Sequence, residues 1–375
     1  MPVAEWTGCG QEGLKAVLSR KASLTALKEP SKEYCSLQIH QPHHDSAAVV
    51  LAFVDGGSRP AAVVKERNLR KAHMECFHYV LAKTLLQAPD LVAATIPALP
   101  DPQRMSDPLD ILWTSARMIC EQMRYPAEEL AEYSGAVEEF VDAVPPQVST
   151  SQFNSNAQRI LEVLGTHRGV DLAKFAELVV EQRGEADLHA TIHCLFRCLN
   201  EDSIAAAIVF ATLTFQRDLN GANVLIRFRP DGSLGLVLID TTTGFGDEEQ
   251  HTELSGDWEV SDNWYYMPLV LVLPQASNPL SESRRQGLLA LEPAALETWL
   301  QHHSQFPGGS LLSPKQIDGA KARLIAMQRT LRDHPNVSCR ELALEVIPLW
   351  RRDFPRAAEQ EDLQLLCQCV ASYAP

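Results

Sequence analysis

The stretch from Phe215 to Asp247 constrains this chain more than any other part of its sequence. It opens Phe215-Gln216-Arg217-Asp218-Leu219-Asn220-Gly221-Ala222-Asn223 and continues as two apolar runs, Asn223 to Arg229 and Gly235 to Ile239. The turn Pro230-Asp231-Gly232-Ser233 joins the runs, and Asp240 follows the second. Short runs rich in Val, Leu and Ile around a Pro-Asp-Gly turn predict a β-hairpin. A hairpin returns the chain to its starting point, so Asp240 is expected beside Asn223. Asp218, five residues before Asn223, is expected on the same tight loop.

Three oxygen-bearing side chains at the open end of a hairpin suit phosphoryl transfer. That reaction needs a carboxylate to orient the attacking hydroxyl, oxygen ligands for Mg²⁺, and a cation on the nonreacting phosphates. Asp218 is the candidate for the first task, and Asn223 and Asp240 for the second. Singly, an Asp or Asn in a Gly-containing loop is usually a turn former, and Asn220-Gly221 is read that way. The joint spacing of the other three carries the functional reading.

Upstream, a helical stretch around Leu14 to Leu27 precedes three strand candidates, Ser36 to Gln41, Ala47 to Val54 and Ala61 to Lys65. Asp55-Gly56-Gly57-Ser58 links the second and third, which predicts an antiparallel meander. A helix is predicted from about Arg70 to Leu86, with Met74, Phe77, Leu81 and Leu85 on one buried face. Ile111-Leu112-Trp113 reads as a strand leading into Thr114 to Met118. The region from Tyr125 to Asn200 reads as mainly helical, broken at Pro145-Pro146 and the polar stretch to Asn156. Residues 204–213 read as a buried helix, and Glu292 to Leu300 and Pro314 to Arg332 as further helices. Strands and one helix, then helices, a hairpin and more helices make an α+β layout rather than alternating βαβ units.

The catalytic-type segment resembles the protein kinase-like superfamily. Arg217-Asp218-Leu219 followed by Asn223 is similar to the Arg-Asp-Leu-x-x-x-Asn loop of protein kinases, with Gln216 where a histidine is usual. Ile239-Asp240 resembles the metal-binding Asp of their DFG segment, with Thr241-Thr242 in place of Phe-Gly. The hairpin with its later Gly246-Asp247 is also similar to aminoglycoside and choline kinases. Phosphatidylinositol kinases, actin-fragmin kinase and HipA-like kinases share the spacing. Lys65, in Val63-Val64-Lys65, looks like the strand-borne phosphate-binding lysine, and Glu75 on the next helix like its ion-pair partner. No GxGxxG precedes Lys65 at the expected place, since Gly8 to Gly13 lies too far upstream. Ser46 and the loop Pro42 to Asp45 stand where a phosphate-covering turn falls. No Ala-Pro-Glu closes an activation segment, which argues against an ordinary eukaryotic-type protein kinase regulated by loop phosphorylation.

The resemblance implies a bilobal fold, with a small β-rich N-lobe over 1–119, a larger mainly helical C-lobe over 120–375, and ATP between them. It implies Mg-ATP-dependent transfer of the γ-phosphate to a hydroxyl. A protein substrate is the first choice, and a small-molecule or lipid hydroxyl the alternative. A nucleotide-binding scaffold without transfer, and transfer of AMP, are the rival readings. A divergent stand-alone kinase of this kind also suits a bacterial effector delivered into a host cell.

Composition sets the remaining bounds. Hydrophobic residues are 45% and charged residues 22% of 375, the balance of a folded chain rather than a disordered one. The net charge of −15 argues against nucleic-acid binding, which needs clustered Lys and Arg. No run of apolar residues is long enough to predict a transmembrane helix, and the start lacks the layout of a secretory signal. A cytoplasmic location is therefore expected. The nine cysteines contain no CxxC pair, so Cys194 and Cys198 beside His193 read as buried thiols rather than metal ligands. His43-His44 and His302-His303, without a third ligand at fixed spacing, read as exposed residues.

Overall fold

The computed structural model describes residues 35–40, 49–54, 60–98, 133–139, 141, 143, 153–165, 169–216, 218–229, 231–245, 268–306, 308–357 and 361–373. Ser46, Arg217, Gly246 and Asp247 lie outside these residues, as do the stretches Leu14 to Leu27 and Ile111 to Met118. The fold mixes helix with antiparallel sheet, and helix predominates. No helix among the described residues is long and apolar enough to cross a membrane.

The chain divides into two compact units. The first draws on Met1–Leu81, Ala93–Phe140 and His302–Leu311, the second on Ala82–Val92, Val141–Gln301 and Leu312–Pro375. In the first, β1 (Cys35–His40), β2 (Val49–Val54) and β3 (Pro60–Asn68) form the expected antiparallel meander. β4 (Thr95–Ala98) and β5 (Tyr133–Glu139) complete a five-stranded sheet of order β1-β2-β3-β5-β4. β5, which belongs to the first unit, overturns one expectation, because it lies in a region read as helical. Its sequence, Tyr133-Ser-Gly-Ala-Val-Glu-Glu139, has few strand-favouring residues. Pairing with β3 on one side and β4 on the other makes it a strand, and no local preference does so.

Helix α1 (Leu69–Thr84) follows β3 without a break. A single apolar face was expected, but every residue from Ala72 to Ala82 is buried, including His73, Glu75 and His78. A helix buried all round shows little amphipathic periodicity. A distant hairpin, β8 (Gln305–Phe306) with β9 (Gly309–Ser310), also belongs to this unit. Phe306 meets the His73 ring at 5.5 Å, and Arg70 donates to the Leu311 carbonyl at 2.9 Å.

In the second unit, helices α2 (Ser155–Leu164), α3 (Leu172–Arg183) and α4 (Glu185–Cys198) pack against one another. Asn154 and Asp171 cap α2 and α3 by accepting from the amides of Ala157 and Lys174. Helix α5 (Glu201–Thr214) is buried at every position from Ser203 to Thr214, as its Ala, Ile and Val content predicts. The hairpin β6 (Val224–Phe228) and β7 (Leu234–Leu238) lies within one residue of its expected limits. Gly232 turns it at φ 82, where a side chain would sit 2.8 Å from the Phe153 ring. The amide of Leu236 donates to Ser203 Oγ, which fastens β7 to the start of α5.

Beyond the hairpin lie α6 (Glu282–Ala290), α7 (Pro293–His303) and α8 (Pro314–Asp333). Ser313 and Gln316 close a capping box on α8, with Pro314 at its first position. Helices α9 (Cys339–Val346), α10 (Pro348–Ala357) and α11 (Glu361–Ser372) end the chain.

Candidate functional site

The loop between α5 and β6 is built by its own side chains. Helix α5 stops at Phe215, which adopts φ 50 and ψ 53 and turns the chain out of the helix. Gln216 is fully buried, and its Nε2 donates to the Thr241 carbonyl at 3.2 Å. This bond ties the loop to the far end of the hairpin. Leu219, 0% exposed, plugs the loop into the core. Asn220 Oδ1 then accepts from the amides of Ala222 and Asn223, forming the turn at Gly221–Asn223.

These contacts hold Asp218. Asn220 Nδ2 donates to Asp218 Oδ1 at 2.8 Å, and Asn223 Nδ2 donates to the Asp218 carbonyl at 2.7 Å. With its Nδ2 so used, the other end of the Asn223 amide is Oδ1, the oxygen a hard cation takes. Across the hairpin, the Ile239 amide donates to the Asn223 carbonyl at 3.0 Å, and Asp240 follows at φ 50, ψ 45. A left-handed Asp is uncommon outside turns and functional sites. Thr242 Oγ1 lies 3.5 Å from Asp240 Oδ1.

Burial pushes the Asp218 carboxyl above its ordinary range, and the charge of Asp240 pushes it further. Hydrogen bonds from Asn220 and Asn223 oppose the shift. Two carboxylates that repel each other beside an amide oxygen fit a divalent cation, which removes the repulsion. Among the described residues no group of three or more His, Cys, Asp or Glu gathers. Mg²⁺ does not require one, because it keeps several waters and takes one or two carboxylates.

Asp218, Asn223 and Asp240 are thus brought together, within the second unit. Lys65 and Glu75 belong to the first. Lys65 lies within β3, 5% exposed, with Nζ 3.0 Å from each Glu138 carboxylate oxygen. Lys65 stands opposite Ala136 and Glu138 opposite Val63, so both side chains share one face of the sheet. Thr95 Oγ1 lies 3.5 Å from Glu138 Oε2. Glu75 is 2% exposed on α1. Glu138, Asn220 and Gln216 are functional candidates that sequence reasoning missed. Glu138 had no pattern to announce it, while Asn220 was visible only as a turn former.

A buried ion pair broken on one side leaves the other charge uncompensated, at a cost of about 3–5 kcal/mol. Glu138→Ala is therefore expected to lose stability on that scale in urea denaturation. Lys65→Met with Glu138→Leu together should lose much less, since no lone charge remains. Equal losses in the two proteins would remove the pair from the structural account.

A cavity of about 770 Å³, lined by Leu86, Val209, Arg284 and Leu288 among others, includes none of the proposed site residues. Cys194 donates to Asn156 Oδ1, and burial pushes the Cys198 thiol up to about 11, so Cys198 stays protonated. Compared with known proteins, the chain matches no family model and no curated protein.

Proposed function

We propose that this chain is an ATP-dependent phosphotransferase that moves the γ-phosphate to a hydroxyl group, with a protein hydroxyl as the first choice of acceptor. One observation carries the reading: a carboxylate, an amide and a second carboxylate meet where the Asp218 loop closes on the end of β7. Asp218 accepts the hydrogen bond of the attacking hydroxyl and orients it, while Asn220 fixes the rotation of its carboxylate. Asn223 and Asp240 hold Mg²⁺. When bound, Mg²⁺ neutralises charge on the phosphate oxygens. Lys65 supplies the cation for the nonreacting phosphates, with its ammonium oriented by Glu138 and Glu75 assigned to the same support.

Incubation of the pure protein with ATP labelled at the γ or the α phosphate, with and without Mg²⁺, tests this. Label from the γ position on an acceptor or in released phosphate supports phosphotransfer. Label from the α position on protein moves the chemistry to AMP transfer. Saturable binding with neither product makes the chain a nucleotide-binding scaffold.

A further inference from the structure

A bulky residue in the left-handed backbone region is rare, and it persists only where its surroundings hold it. Phe215 is such a residue, and it is the point from which the Asp218 loop departs. Among the described residues, Trp350 and Arg323 both pack on its ring. Trp350 stacks on its ring at 6.1 Å, and Arg323 of α8 sets its guanidinium carbon 5.6 Å from the ring centroid. The Arg323 Nε also donates to the Leu213 carbonyl at 2.9 Å. That carbonyl belongs to the last turn of α5, where carbonyls lack helical partners and the helix dipole is negative. One side chain thus grips both Leu213 and Phe215.

Arg323 is a poor choice for stability. It is 6% exposed, and its Nη2 is buried without a hydrogen-bond partner among the described residues. Burial pulls its pKa down to about 9, and no carboxylate among the described residues offsets the loss of water. Its neighbours along α8, Ala320, Leu324 and Met327, are buried and apolar. Replacing a buried charge by an apolar side chain of similar volume is often neutral or stabilising. The cost of burying this guanidinium is not accounted for by stability alone.

We propose that Arg323 is a positioning residue for Asp218, fixing Phe215 in the left-handed conformation from which the catalytic-type loop starts. The proposal rests on the phosphotransfer reading for its activity readout only. Its structural readout is independent of that reading.

The test compares Arg323→Met and Arg323→Lys with the unaltered protein by thermal melting, amide hydrogen exchange and Mg-ATP turnover. The amides of Asn223 and Ile239 report on the loop, since they donate to the loop carbonyls of Asn220 and Asn223. Arg323→Met is expected to melt at the same temperature or higher. Its Asn223 and Ile239 amides should exchange at least about tenfold faster, the effect of weakening local closure by one decade. Its kcat should fall by about tenfold or more while KM for ATP stays within a factor of about three. Arg323→Lys, which keeps a cationic donor for the Leu213 carbonyl, should recover part of both losses.

Unchanged exchange at the two amides overturns the proposal, whatever the turnover. A lower melting temperature with faster exchange throughout the second unit, or failure of both variants to fold, also overturns it, because the role is then plain stability. If the unaltered protein has no Mg-ATP turnover but exchange rises at the loop alone, the positioning role stands and the phosphotransfer reading falls. If turnover is present and both variants match it with unchanged exchange, the reading stands and the positioning role falls.

Discussion

Asp218→Asn should cut turnover by about 10²–10⁴-fold, the usual contribution of a positioned base. Nucleotide affinity should change by less than about tenfold, ~1.4 kcal/mol, because the proposed metal ligands Asn223 and Asp240 are untouched. The substitution keeps size and some hydrogen bonding but removes the carboxylate that orients the hydroxyl and takes its proton. Autophosphorylation or ATP hydrolysis under saturating Mg-ATP, beside a nucleotide titration, separates the two effects. Parallel loss of both would assign Asp218 to the metal or to the fold. Full turnover in the variant would remove it from the site, and with it most of the case for phosphotransfer.

The same substitution carries a pH signature. Burial and Asp240 raise the Asp218 carboxyl in the folded chain, so the folded state binds more protons than the unfolded state just above the ordinary carboxylate range. Its contribution to stability is present below the unfolded value and is lost as pH rises through the folded one. Asp218→Asn should remove that downward slope from a melting-temperature profile taken from acid to neutral pH. Turnover of the unaltered protein should fall as pH drops through the same raised value, since the base works ionised.

Asp240→Ala should abolish the Mg²⁺-dependent stabilisation by ATP. A ligand that binds only the native state adds about 2.7 kcal/mol at a hundredfold excess over its dissociation constant. Removing the proposed charged ligand opposite Asn223 should erase that gain. Without ATP the variant loses the repulsion between Asp240 and Asp218, which opposes the cost of placing Ala in a left-handed conformation. The protein without ligand should therefore melt close to the unaltered one, and Asp240→Asn, better suited to that backbone, closer still. A thermal shift with Mg-ATP that survives unchanged in both variants would sink the metal assignment.

What the sequence determined by itself is the local part. The hairpin at Val224–Leu238, the buried helix Glu201–Thr214, the capped helix Pro314–Asp333 and the first three strands follow from short-range turn chemistry and apolar runs. The meeting of Asp218, Asn223 and Asp240 was legible for the same reason, since one hairpin covers their whole separation. Tertiary structure decided what no local signal encodes. Tyr133–Glu139 is a strand because β3 and β4 offer it unpaired edges, and Glu138 thereby reaches Lys65 across a gap of 73 residues. Phe306 and Leu311 join the first unit from far along the chain, and Arg323 reaches Leu213 over 110 residues. Such contacts gain their energy from burial and from satisfied or stranded polar groups, which depend on neighbours that the chain acquires only when it folds.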